Sequence, residues 1–116
     1  MKKIYIVGIE GAGTSALAQI YHALGYNVSG SDNGDHFFGK NLQKLGIKVH
    51  EEFAAMNVPE DIDFAVHSTA FKDDNPEIAR IKKLVIKLYS YAEALGNLFN
   101  YRIDIAVCGT HVKTTT

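Results

Sequence analysis

The sequence predicts an α/β fold: a Rossmann-like parallel sheet with helices on both faces, in a single domain. Three observations carry that expectation. Short apolar runs alternate with segments of helical period along nearly all of the 116 residues, which implies βαβ units and a parallel sheet covered on both sides. A glycine-rich turn, Gly8-Ile9-Glu10-Gly11-Ala12-Gly13, joins the first apolar run to the first helical segment, the arrangement used by nucleotide-binding α/β folds. The length suits one domain with a core of its own.

Lys3–Val7 reads as the first strand. From Thr14 onward Ala16, Leu17, Ile20, Tyr21 and Leu24 recur at helical spacing, and Gly25 is a natural stop. Asn27–Ser31 forms a second strand ending at Asp32. A loop through Asn33 to Asp35 leads to a helix near Phe37–Leu45, closed by Gly46, and Ile47–His50 is a short third strand. Ile62–His67 reads as the fourth strand, followed by the polar turn Ser68–Asn75. Pro76 then occupies a favoured first helical position, with Glu77, Ile78 and Ile81 continuing the helix. Leu84–Leu88 is expected to be a fifth strand, Tyr91–Phe99 a helix, and the run from Ile103 to Cys108 a last strand.

Composition narrows the function. The formal net charge is −1 and no basic stripe stands out, so nucleic acid is not an expected partner. No apolar run approaches the roughly 18 residues of a membrane span, and the basic start Met1-Lys2-Lys3 leads into a strand rather than a signal peptide. The single cysteine, Cys108, cannot form an internal disulfide, which fits a cytoplasmic protein; its apolar run makes it a small core residue. The five histidines lack metal-ligand spacing. His67, at a strand end beside Ser68, suits either a ligand donor or a plain loop residue. Tyr89, Tyr91 and Phe99 suit core or interface packing, and Lys82, Lys83 and Lys87 a solvated face.

The glycine loop points to phosphate. Glycines let backbone N–H groups approach a pyrophosphate at a helix N-terminus. The order here is G-x-x-G-x-G, whereas the dinucleotide fingerprint is G-x-G-x-x-G, so the loop has its own shape. Asp32 lies where an acid meets a ribose hydroxyl in dinucleotide-binding domains; a capping acid is its plainer role, as a tight turn is the plainer role of the glycines. Glu10 would repel a pyrophosphate, so it is expected to face solvent or pair with a lysine.

The chain closes on Gly109-Thr110-His111-Val112-Lys113-Thr114-Thr115-Thr116. Lysine and threonine are what a phosphate loop needs, one for charge and one for a metal, in front of a helix N-terminus. The sequence stops where that helix would begin, which suggests the front piece of a larger ATP-using enzyme.

Three stretches together resemble one family. Gly8-Ile9-Glu10-Gly11-Ala12-Gly13-Thr14-Ser15 with Val28-Ser29-Gly30-Ser31-Asp32, then His67-Ser68-Thr69-Ala70-Phe71 with Asn75-Pro76-Glu77-Ile78, and finally Gly109–Thr116 are similar, in order, to the amino-terminal domain of Mur ligases and the ATP loop that follows it. Within that family the likeness is to the ligases that join L-alanine to UDP-N-acetylmuramate in peptidoglycan precursor synthesis, with ATP and Mg²⁺ and through an acyl phosphate. The resemblance implies a UDP-sugar-binding domain over residues 1–102, with 103–116 as the opening strand and truncated ATP loop of a central ligase domain. It makes Gly11, Ala12, Gly13, Thr14 and Ser15 the diphosphate cradle, Asp32 a ribose or uracil contact, and Ser68, Thr69 and Ala70 further lining of the substrate site. Gly109, Thr110, His111, Lys113, Thr114 and Thr115 become the ATP loop, with Lys113 catalytic and Thr114 on Mg²⁺.

This sequence departs from the family pattern at Glu10, usually Gly, at Thr14, usually Met, and at Val112, which replaces the glycine of G-T-H-G-K-T-T-T. A β-branched residue resists positive φ at a cost on the order of 1–2 kcal/mol, and its side chain occupies space that phosphate needs. The fragment alone is therefore expected to be inactive and to bind no ATP. An exposed truncated edge would leave room for a homodimer. The alternatives are an NAD-binding domain of an oxidoreductase and a non-catalytic UDP-sugar-binding relic.

Overall fold

The computed structural model describes residues 2–33, 39–69, 71 and 74–107, with the backbone alone for 39 and 100–107. Among these residues lies a parallel sheet of five strands: β1 (Lys3–Val7), β2 (Asn27–Ser31), β3 (Lys48–His50), β4 (Phe64–His67) and β5 (Leu88–Ser90), in the spatial order β3-β2-β1-β4-β5. Helices α1 (Ala12–Ala23), α2 (Gly39–Lys44), α3 (Pro76–Lys83) and α4 (Tyr91–Val107) connect or follow the strands, and a short 3₁₀ turn spans Ala55–Asn57.

The pleat of β1 explains the layering. Successive side chains of a strand point to opposite faces, and here both faces are covered, as parallel sheets require. Ile4 and Ile6 enter one core with Leu17, Ala18 and Tyr21 of α1, Leu42 of α2, and Ala94 and Leu98 of α4. Tyr5 and Val7 enter the other with Ile78 and Ile81 of α3 and with Val58, Ile62 and Ala65. All four β1 residues are fully buried, so a polar substitution on either side of this strand would strike a core. Tyr21 anchors an aromatic row with Tyr26 and Phe64, at centroid distances of 5.2 and 5.8 Å, and Phe64 passes it on to Tyr89 at 5.6 Å. Burial pushes the Tyr21 hydroxyl up to about 12.

Apart from the last strand, the expected elements are present with shifted ends. The fourth strand begins at Phe64 rather than Ile62, and the fifth runs Leu88–Ser90 rather than Leu84–Leu88. Leu84 and Val85 instead terminate α3: the Ile86 N–H reaches the Ile81 carbonyl at 3.2 Å and the Val85 N–H that of Lys82 at 3.1 Å. The expected strand from Ile103 is corrected as well, because α4 continues through Val107. A strand there needs a neighbour to take up its backbone groups, whereas a helix satisfies them along its own length. Cys108 and the phosphate-loop stretch after it lie outside the described residues, as does Phe37.

Candidate functional site

The strand order fixes where a ligand can enter. The chain builds outward from β1 to β2 and β3, then returns to place β4 on the other side of β1. Open parallel sheets bind ligands at the carboxyl ends of the strands, where the order reverses. Here that crevice lies between the loop after β1, which begins at Gly8, and the loop after β4, which begins at Ser68. The second loop is tied to the end of β1, since the Ser68 N–H donates to the Val7 carbonyl at 2.9 Å.

The first loop is held by main-chain bonds to Ser31 and by the side chains of Asp32 and Thr14. Gly8 takes φ +80°, a conformation that side chains resist, and a Cβ there would meet Phe71 Cε2 at 2.7 Å and Ser68 Cβ at 2.9 Å. The N–H groups of Gly8 and Ile9 both donate to the Ser31 carbonyl, at 2.7 and 2.9 Å. Asp32, itself 3% exposed, accepts the Glu10 N–H on Oδ2 at 2.9 Å and the Asn33 N–H on Oδ1 at 2.8 Å. Thr14 turns its hydroxyl back onto the Gly8 carbonyl at 2.6 Å, and Ser15 donates from Oγ to Ala12 at 3.1 Å. Gly11 caps α1 in an extended conformation without any side-chain cap. A helix start left that way offers its first N–H groups and the positive end of its dipole to an anion.

Within the expected cradle Gly11 and Gly13 are half-buried and Ala12 exposed, whereas Thr14 and Ser15 are buried. Asp32 thus ties one amide of the loop, that of Glu10, and the amide of its own neighbour Asn33. For Glu10 the solvent-facing alternative is corrected: the residue is buried, 4% exposed. Ile9 plugs the core and Asp32 draws the Glu10 amide inward, so the residue is carried under the turn.

Across the crevice, Ser68 is half-buried and Thr69 exposed, and the His67 Nδ1–H donates to the Ser68 carbonyl at 3.0 Å. Ala70, Gly109, Thr110, His111, Val112, Lys113, Thr114 and Thr115 lie outside the described residues. Among the described residues no group of three or more His, Cys, Asp or Glu side chains could hold a metal ion. A cavity of about 250 Å³ lined by Tyr21, Tyr26, Phe64 and Tyr89 opens near the opposite, amino ends of the strands, away from both glycine loop and switch point.

Three features of the site were missed in the sequence. Tyr91 lies against Gly13, where a Cβ would come within 2.7 Å of its ring; no local pattern announces such a contact. Ser90 and Glu93 form a reciprocal cap at the start of α4, with the Ser90 N–H on Glu93 Oε1 at 2.9 Å and the Glu93 N–H on Ser90 Oγ at 3.1 Å. Here the S-x-x-E signal was legible. These bonds hold the Glu93 carboxyl below its usual range. The third feature is Glu77, an acid with no exposed surface.

The Mur ligase family model described as its catalytic domain matches residues 3–102. The chain belongs to the Mur ligase family. The chain is 47% identical over 113 residues to the UDP-N-acetylmuramate--L-alanine ligase of Bartonella henselae, covering 97% of the chain and 24% of that protein. It is 41% identical to the ligase of the same name from Fusobacterium nucleatum over all 116 residues, 25% of that protein. The chain therefore spans about a quarter of the length of the curated relatives it matches. Among solved structures, the UDP-N-acetylmuramate-alanine ligase MurC of Thermotoga maritima superposes with TM-score 0.83 at 31% identity, over 87% of this Mur ligase chain and 23% of its own. The structure titled UDP-N-acetylmuramate:L-alanyl-gamma-D-glutamyl-meso-diaminopimelate ligase from Neisseria meningitides gives TM-score 0.72 at 32% identity, over 78% and 29%. These matches favour the ligase reading over the oxidoreductase one.

Proposed function

We propose that this chain holds the UDP-sugar substrate of an ATP-dependent ligase that joins L-alanine to the lactyl carboxylate of UDP-N-acetylmuramate, in cytoplasmic peptidoglycan precursor synthesis. The observation that carries the reading is the pairing of a side-chain-free helix start with the topological switch point, in a chain similar along its length to ligases of that name. The diphosphate lies against the turn at Gly11, Ala12 and Gly13, where Ala12 and Gly13 offer main-chain N–H groups and that of Gly11 is held by the Gly8 carbonyl at 3.3 Å. Thr14 and Ser15 hold that backbone in shape, while Asp32, Ser68, Thr69 and Ala70 flank the nucleotide. The contribution to catalysis is positioning: a bound and oriented carboxylate reacts as though at very high local concentration.

Residues 1–102 form the UDP-sugar domain, and 103–116 open the central domain of the full-length enzyme. Lys113 and Thr114 have the right chemistry for ATP phosphates and Mg²⁺, with Gly109, Thr110, His111 and Thr115 around them. Val112 does not fit, because a branched side chain would take up the approach that the family's glycine leaves open. No phosphoryl-transfer step is assigned to this chain.

Isothermal titration with UDP-N-acetylmuramate, UDP and NAD tests the reading. Saturable binding of the UDP-sugar with no binding of NAD is expected. Tighter binding of NAD, or no binding of any of the three, would overturn it.

A further inference from the structure

Glu77 is buried completely, and burying a carboxylate is costly unless hydrogen-bond donors surround it. Here they do. Ser31 Oγ donates to Oε1, and Oε2 accepts from the Ala54 N–H at 3.1 Å and from Asn57 Nδ2 at 3.0 Å. The Glu77 N–H is itself taken by Asn75 Oδ1 at 2.9 Å, and Pro76 starts the helix, so the charge also faces the positive end of the α3 dipole. The Tyr5 hydroxyl is buried beside Ser31 and Glu77, and burial pushes it far above the usual phenol range, keeping it a neutral neighbour.

The carboxylate joins three segments: the end of β2, the connection around Ala54–Asn57, and the start of α3. Its partner on β2 is the informative one. The Ser31 carbonyl carries the N–H groups of both Gly8 and Ile9, and the next residue, Asp32, carries that of Glu10. Three successive amides of the glycine loop therefore hang on two residues at the last rung of β2, where Ser31 pairs with Val7 on one side and His50 on the other. The side chain of that rung is fixed from the opposite face of the sheet by Glu77.

We propose that Glu77 is a positioning residue for substrate binding, which acts through Ser31 to set the height at which the Gly8–Gly13 turn presents its backbone to the ligand. The proposal rests on the reading that this turn holds the UDP-sugar diphosphate. It makes Glu77 and Ser31 determinants of affinity although neither touches the ligand.

The test uses this chain with Ser31→Ala and Glu77→Gln and reads two quantities. Amide hydrogen exchange is measured at Gly8, Ile9 and Glu10 against the β1 amides of Ile4–Val7, and affinity for UDP-N-acetylmuramate by titration. Ser31→Ala removes one donor to the carboxylate. Glu77→Gln keeps the shape but removes the charge, so that the Ser31 hydroxyl faces a neutral amide in place of a carboxylate. Both variants are expected to lose protection at residues 8–10 by roughly tenfold, the scale of one hydrogen bond to a charged group, while β1 protection is kept, and to bind the UDP-sugar about tenfold more weakly. Equal loss at β1 and the loop would mean a purely structural role and overturn the proposal, as would unchanged loop exchange and affinity. Should Glu77→Gln not fold, Ser31→Ala decides alone. If the unsubstituted chain binds no UDP-sugar, the substrate reading falls, and selective loop exchange then decides whether Glu77 positions the turn.

Discussion

Val85→Gly should stabilise this protein. Helices α1, α2 and α3 end in the same way, with the third residue past the helix bonded back to the carbonyl five residues earlier: Tyr26 to Tyr21 at 3.0 Å, Ile47 to Leu42 at 3.1 Å, and Ile86 to Ile81 at 3.2 Å. That motif places one residue in the left-handed region, usually a glycine. The first two ends use Gly25 at φ +93° and Gly46 at φ +86°; the third uses Val85 at φ +58°. A side chain in that region costs on the order of 1–2 kcal/mol, and replacing it by glycine forfeits about 0.5–1 kcal/mol through the freer unfolded chain. The Val85 side chain is 89% exposed, so little burial is lost. The net gain is roughly 0.5–1 kcal/mol, or about 2–5 °C in Tm for a domain of this size. Denaturant unfolding should show a higher midpoint at unchanged slope. Gly25→Ala is the internal control: a Cβ there meets nothing within 4 Å, so it should lower stability by about 1 kcal/mol through conformation alone. A Val85→Gly midpoint at or below that of the parent protein would refute the reasoning.

Thr14→Val removes the hydroxyl that holds the Gly8 carbonyl while keeping the volume; unfolding should show a cost of about 1 kcal/mol, and titration a weaker UDP-sugar affinity. Titration with MgATP should give no micromolar binding, and a micromolar affinity would remove the argument from Val112. Glu93 sets a pH dependence. Its carboxyl is held below its unfolded value by the Ser90 bonds, so the stability it adds is present above the ordinary carboxylate range near 4.3 and is lost as pH falls through its lower folded value. Glu93→Ala should flatten that part of the acid limb in unfolding midpoints taken from pH 7 down to about 3.

How far the fold can be read from the sequence depends on how local each signal is. Gly25 and Gly46 mark helix ends by conformational need, and both were legible. The third end has the same geometry with valine in place, so Leu84–Leu88 reads as β-branched strand and the boundary shifts by four residues. The run from Ile103 is a second case. Its apolar pattern fits strand and helix alike over so short a length, and the outcome follows from whether a partner strand is present.

The site divides along the same line. The glycines, Asp32 and the loop after β4 are legible because a ligand-binding backbone needs residues without side-chain bulk at fixed offsets from a strand end. What holds that backbone is not local: Ser31 lies 23 residues from Gly8 and 46 from Glu77. Spacing alone marks Asp32 as a ligand contact; the fold adds a second task, since its oxygens also accept the Glu10 and Asn33 amides. A buried acid at the second position of a helix reads as an ordinary first-turn carboxylate until the sheet brings Ser31 above it. The residues that face the ligand and those that fix their height thus leave different traces, the first in spacing and the second in the fold. The Ser31→Ala exchange measurement separates the two, because only a residue of the second kind moves the loop while leaving β1 as it was.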